Sequence, residues 1–167
     1  AWQHHAPVVP DIFCFGKKSQ ICGIAVGPKV DEVKDNCFNV SSRINSTWGG
    51  TVVDMVRVTE YLKIYRDENI LDYVANTARP VLMKGLKELE KEFAGVIDNV
   101  RGKGLMCAFD VETPELRGKF LSACAKHKML ILPCGTRTVR FRPALNVPIE
   151  DLHRGLEIAR TAAKESF

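Results

Sequence analysis

From Val52 onward, the spacing of the apolar residues limits the fold more than any other feature of the chain. Val52, Val53, Val56, Tyr61, Leu62, Ile64 and Tyr65 recur at three- and four-residue intervals, the period of a helix with one apolar stripe. A long helix is therefore predicted from just past Gly49-Gly50 to about Asp67. A second is predicted over 69–93, with Ile70, Val74, Val81, Leu82, Leu86, Leu89 and Phe93 on one face and Pro80 as a kink or interruption. From Val96 the pattern changes. VIDNVRGKG and LMCAFDV read as two strands about a turn in which Gly102 and Gly104 supply the unusual backbone angles. Helix 114–127, strands 129–132 and 138–142, and helix 149–165 behind Pro148 complete a β–β–α–β–β–α order, which predicts a compact α+β layer.

The first part of the chain reads differently. Residues 11–15 and 21–26 are short apolar strands separated by a polar turn with Lys17, Lys18 and Ser19, and PKVDEVKD at 28–35 reads as a short amphipathic helix. A boundary near residue 66 follows, with the tail of a larger sheet domain before it and a small domain after.

Composition excludes several function classes. The 167 residues suffice for one ordinary core, and the formal charge of +4 is spread without a basic block, which argues against nucleic-acid binding. No signal-peptide pattern and no apolar run near membrane-spanning length is present. Six cysteines, at 14, 22, 37, 107, 124 and 134, form no CxxC pair, and several lie in apolar runs where Cys acts as a small hydrophobe. They read as reduced thiols in a reducing compartment. His4-His5 lacks a third ligand, so no metal is expected.

Three segments carry chemistry. In Asp11-Ile12-Phe13-Cys14-Phe15-Gly16-Lys17 an apolar run ends in glycine with a lysine at its exit. A lysine that loses hydration at the end of a buried strand has a lowered pKa and a neutral amine able to attack an aldehyde; alone, the segment reads first as an ordinary solvated lysine. In RINSTWGG at 43–50, hydroxyls stand directly before the long helix, where donors and the helix dipole favour an anion; alone, Ser46 and Thr47 read first as helix caps and Gly49-Gly50 as a turn. In Thr138-Val139-Arg140-Phe141-Arg142-Pro143, two guanidinium groups alternate onto one strand face, suited to a carboxylate or simply exposed on an edge strand.

Together PDIFCFGKKSQICG, SSRINSTWGGTVVDMVR, RGKGLMCAFD and TVRFRPALNV resemble, in order and spacing, the C-terminal portion of a class III aminotransferase dependent on pyridoxal 5′-phosphate. Within that class, FGKKSQICG and RINSTWGG resemble the L-lysine 6-aminotransferases, with 4-aminobutyrate aminotransferases as the near alternative. The resemblance implies an α/β fold: the end of the large-domain sheet of a fold type I transferase with an interdomain helix over 1–66, and a small α+β domain over 67–167. It also implies that the chain is a portion of an enzyme more than twice as long.

By the same resemblance, Lys17, directly after the glycine and so preferred over Lys18, holds the cofactor as a Schiff base and shuttles protons. Thr47 reaches the cofactor phosphate of the neighbouring subunit in a homodimer, Ser46 lies beside the phosphate, and Asn45 faces the substrate. Arg140 grips the carboxylate of glutamate or 2-oxoglutarate, and Arg142 is the looser match. The positive surplus suits an anionic cofactor and dicarboxylates. The glycine loop for the phosphate, the ring-stacking aromatic, the aspartate on the pyridinium nitrogen and the arginine for the donor's carboxylate are expected upstream. The lone chain is therefore expected to be inactive. The implied reaction moves the terminal amino group of L-lysine to 2-oxoglutarate, in the cytoplasm, with a mitochondrial location left open. A non-catalytic assembly domain is the alternative from another class.

Overall fold

The computed structural model describes residues 7–44 and 46–167, Lys18 by its backbone alone. The chain divides into two compact units, one ending at Asp67 and one beginning at Glu68.

In the first unit, β1 (Ile12–Phe15) and β2 (Gly23–Val26) form an antiparallel pair in which Ile12 faces Val26 and Phe15 faces Gly23. Glycine at 23 lets the Phe15 ring lie over the backbone, since a Cβ there would stand 2.2 Å from the ring. No residue of either strand is buried, so the expected buried strand before Lys17 is instead a half-exposed ribbon. A two-stranded sheet has too little surface to enclose its own side chains.

The helix expected over 28–35 is only a 3₁₀ segment, Pro28–Glu32. Asn36 ends it: its buried side-chain amide donates to the Val30 and Val33 carbonyls at 3.0 and 3.1 Å, and its Oδ1 accepts from the Phe38 and Asn39 N–H groups. That side chain supplies partners that a further helical turn would otherwise provide. α1 spans Val52–Asp67 and buries none of its residues, leaving Val52, Val53, Met55, Val56 and Leu62 exposed.

The second unit is a two-layer α+β arrangement. A helical rod runs through α2 (Ile70–Tyr73), a π-helical segment (Val74–Ala78) and α3 (Arg79–Glu92). Pro80 does not break it. The wider π turn just ahead accommodates the missing N–H and the ring, a usual device for a proline inside a helix. Four antiparallel strands follow in the order β3-β4-β6-β5: β3 Ile97–Lys103, β4 Met106–Val111, β5 Leu132–Cys134 and β6 Thr138–Phe141. The glycine pair makes the β3–β4 turn as expected. A Cβ on Gly102 would meet the Met106 carbonyl oxygen at 2.4 Å, and Gly104 adopts φ 52°.

α4 (Pro114–Lys126) and α5 (Ile149–Ser166) cover the same sheet face as α3. That face is apolar: Ile97, Cys107, Phe109, Val111, Val139 and Phe141 are buried. Phe120 of α4 meets Phe109 edge-on at 5.6 Å and stacks on Phe167 at 5.9 Å, and Phe167 in turn meets Phe93. These rings tie all three helices to the sheet, the geometry aromatic pairs favour.

The strand expected over 129–132 lies later, at Leu132–Cys134. α4 closes in a Schellman motif, with Lys128 left-handed at φ 62°, Met129 N–H donating to the Cys124 carbonyl and Lys128 N–H to the Ala125 carbonyl. Met129 is thus committed to the helix end.

Candidate active site

The candidate residues fall on both units. On the first, Gly16 to Gln20 form a tight turn around Lys17. Lys17 has φ 55° and Gln20 φ 60°, both left-handed, and the Lys17 carbonyl accepts from the Gln20 backbone and side chain at 2.9 and 3.2 Å. A non-glycine residue in this conformation stores strain, which functional sites commonly hold. Gly16 is extended, and its small size is the requirement: a Cβ would lie 3.1 Å from Cys22 Sγ. The Lys17 backbone is therefore fixed, while its exposed amine has no partner among the described residues.

Ser46 and Thr47 sit in a turn closed by Gly49 N–H on the Ser46 carbonyl at 3.1 Å, and a Cβ at Gly49 would meet Ser46 Oγ at 2.6 Å. α1 begins only at Val52, with the Thr51 carbonyl accepting from Met55. Neither hydroxyl is a helix cap. Both are exposed and project from the turn ahead of α1. Asn45 lies outside the described residues.

On the second unit, β6 carries Arg140 with Val139 and Phe141 buried on the opposite strand face. Arg142 falls just past the strand end, so strict alternation does not extend to it. Both arginines nevertheless line one cavity of about 420 Å³ with Met129, Leu152, Arg154 and Leu156. Tyr73 Oη donates to the Val147 carbonyl at 2.6 Å and fixes that part of the wall. Arg140 Nε is buried and has no hydrogen-bond partner among the described residues. A buried donor without an acceptor is costly.

Sequence reasoning missed Asp110. Its carboxylate is 6% exposed and accepts from Arg101 Nη2 at 3.0 Å, Asn99 Nδ2 at 2.8 Å and Thr138 Oγ1. Burial pushes its pKa up, but the bonds from Thr138, Asn99 and Arg101 outweigh this and hold it below the ordinary value. An aspartate inside the apolar run MCAFDV was the available signal. The cysteines also need correction. All six are free, but Cys14 and Cys22 are exposed rather than packed. Cys107 and Cys124 are buried, and burial pushes the Cys124 thiol up to about 12.

The Aminotransferase class-III family matches residues 1–162. The chain belongs to the class-III aminotransferases. Among related class-III aminotransferases, it is 46% identical over 149 residues to an L-lysine-epsilon aminotransferase of Amycolatopsis lactamdurans, covering 89% of this chain and 33% of that protein. A mitochondrial 4-aminobutyrate aminotransferase of Sus scrofa is 32% identical over 64% of this chain and 21% of its own length. The solved structure of a lysine aminotransferase from M. tuberculosis in the internal aldimine form superposes with a TM-score of 0.90 at 39% identity, covering 96% of this chain and 37% of that one. This class-III aminotransferase chain thus spans about a third of the length of the curated relatives it matches. Among the described residues, no helix is long and apolar enough to cross a membrane.

Proposed function

We propose that this chain is the C-terminal portion of an L-lysine 6-aminotransferase that moves the terminal amino group of lysine to 2-oxoglutarate, giving an aldehyde and glutamate. The observation that carries the reading is Arg140: it lines a cavity with Arg142 and Arg154, its Nε has no hydrogen-bond partner among the described residues, and such a basic lining suits a carboxylate. Lysine is favoured over 4-aminobutyrate because the likeness to the lysine enzyme is higher and covers more of the chain.

The donor set fits pyridoxal 5′-phosphate: a free amine on a strained turn and two exposed hydroxyls on a second turn. When bound, that cofactor supplies an electron sink for the carbon that loses its proton. Lys17 Nζ is the amine that would hold the cofactor through its aldehyde and, when free, would carry the proton taken from the substrate carbon. The Thr47 hydroxyl donates to the phosphate of the neighbouring subunit in a homodimer, with Ser46 beside it and Asn45 toward the substrate. Arg140 orients the dicarboxylate, with Arg142 as its neighbour.

Residues 1–66 then form the end of the large cofactor-binding domain and 67–167 the small domain. The upstream portion supplies the remaining cofactor contacts and covers the apolar residues that α1 exposes. Free thiols suit a reducing compartment, the cytoplasm first. The test is turnover by the full-length enzyme with each donor and 2-oxoglutarate. Lysine should react. Turnover of 4-aminobutyrate with none of lysine would reverse the choice of donor, and no turnover of either would remove both donors while leaving the class-III family standing.

A further inference from the structure

The sheet register puts one carboxylate within reach of two arginines. Arg101 of β3 pairs with Ala108 of β4, and Ala108 pairs on its other side with Arg140 of β6. Asp110, two residues along β4 from Ala108, points to the same face and pairs with Thr138. It is therefore the diagonal neighbour of Arg101 on one side and of Arg140 on the other, a spacing that long side chains bridge. Alanine at 108 leaves the space between them open. A buried carboxylate at such a position would be expected to capture the guanidinium meant for a substrate.

It does not: Asp110 is already engaged on both oxygens. Its Oδ1 takes Arg101 Nη2 and Thr138 Oγ1, and its Oδ2 takes Asn99 Nδ2. Arg101 is itself tied down, with Nη1 on the Asn99 carbonyl at 2.9 Å and Nη2 also on Thr138 Oγ1 at 3.3 Å. Asn99 is left-handed at φ 56°, within the irregularity where the β3–β4 register shifts between residues 98 and 101. That shift aims both Asn99 and Arg101 at one acceptor. Asp151, which lines the cavity, is exposed in the first turn of α5, where the helix dipole favours it, and among the described residues it pairs with none of the cavity arginines Arg140, Arg142 and Arg154.

We propose that Arg101 is a positioning residue: by occupying Asp110 it prevents an Asp110–Arg140 ion pair and keeps Arg140 free for the carboxylate of 2-oxoglutarate or glutamate. The inference rests on the reading of Arg140 as the carboxylate anchor. It adds that the anchor's freedom is set two strands away.

Steady-state kinetics of the full-length holoenzyme, varying 2-oxoglutarate and lysine separately, test it. Arg101→Met should raise the KM for 2-oxoglutarate about tenfold, the equivalent of one charge-assisted hydrogen bond, with the KM for lysine unchanged. Adding Asp110→Asn to Arg101→Met should restore the original KM, and Arg101→Lys should preserve it. An unchanged KM in Arg101→Met, or no recovery in the double variant, overturns the proposal. If Arg101→Met does not fold, Asp110→Asn alone decides: a 2-oxoglutarate KM within about twofold of the parent supports competition, and a tenfold rise shows Asp110 to be a support for Arg140, which overturns it. Arg140→Ala separates the two readings. If it leaves the 2-oxoglutarate KM unchanged, the anchor itself is wrong; if it raises that KM while Arg101→Met does not, only the Arg101 proposal fails.

Discussion

Gly85 on α3 faces Leu156 on α5 so closely that a Cβ at 85 would stand 2.3 Å from Leu156 Cδ1 and 2.9 Å from its Cγ. Leu156 also lines the cavity of Arg140, so this contact connects the packing of two helices to the wall of the candidate site. A glycine inside a helix costs about 1 kcal/mol against alanine in intrinsic propensity. The close approach explains why the chain has one here.

Gly85→Ala is accordingly expected to destabilise by about 1–3 kcal/mol, because overpacking outweighs the propensity gained. Urea denaturation measures it. Combining it with Leu156→Val should recover part of the loss, and an unchanged midpoint in the single variant would show that α5 moves aside freely.

A second expectation concerns acid. The folded-state pKa of Asp110 lies below the ordinary 3.8, so its contribution to stability is fully present above that value and is lost as the pH falls through the depressed one. Stability curves of the parent and Asp110→Asn should run parallel near neutral pH and converge only in the acid range below 3.8. Curves that stay parallel throughout would mean that the Thr138, Asn99 and Arg101 bonds do not favour the ionised form.

The sequence made some of this legible and concealed the rest. The helices α1, α3 and α5 and the Gly102/Gly104 turn were readable because local spacing and backbone demands determine them, although the apolar residues of α1 gather on no buried face. The late start of β5 was not, because the Schellman end of α4 places a lysine, not the usual glycine, in the left-handed position. Nor was the π turn before Pro80 or the Asn36 cap, each of which replaces an expected irregularity with a specific hydrogen-bonding solution. At the site, Arg140 stood out as an arginine on a strand, yet the Asp110 cluster depends on a register shift that no residue spacing announces. Lys17 stood out as a lysine directly after a strand-ending glycine, but only family likeness raised it above a solvated lysine. Its left-handed backbone is visible in the structure alone.

For Lys17, the expected result is that borohydride treatment of the holoenzyme followed by peptide mapping recovers the cofactor on Lys17, and that Lys17→Ala abolishes both the label and turnover. The fixed Gly16–Gln20 turn gives Lys17 a defined exit from the ribbon. Label on Lys18 would move the amine assignment by one residue.

Thr47→Ala should weaken cofactor retention by about 1.5–3 kcal/mol, the usual worth of a hydrogen bond to a charged group. Equilibrium dialysis of the cofactor measures it. Because the hydroxyl is proposed to serve the neighbouring subunit, dissociation of the dimer should lower retention in the parent and have little further effect in Thr47→Ala. Equal retention in parent and variant would remove Thr47 from the phosphate site.

Arg140→Lys tests the carboxylate anchor without deleting its charge. Lysine offers a point charge in place of a planar fork, so it keeps the long-range attraction but loses bidentate geometry. The buried Nε, which has no acceptor in the cavity, disappears as well, so the variant should be as stable as the parent or more stable. Binding should suffer instead: losing one charge-assisted bond of about 1.5–3 kcal/mol corresponds to a rise of roughly 10- to 100-fold in the KM for 2-oxoglutarate. The KM for lysine as donor should change far less, because its terminal amine, not its carboxylate, goes to the reacting centre. Equal losses for both substrates would indicate that Arg140 shapes the cavity as a whole. A change confined to 2-oxoglutarate and glutamate, with an unchanged or raised melting temperature, is the outcome that a carboxylate anchor requires.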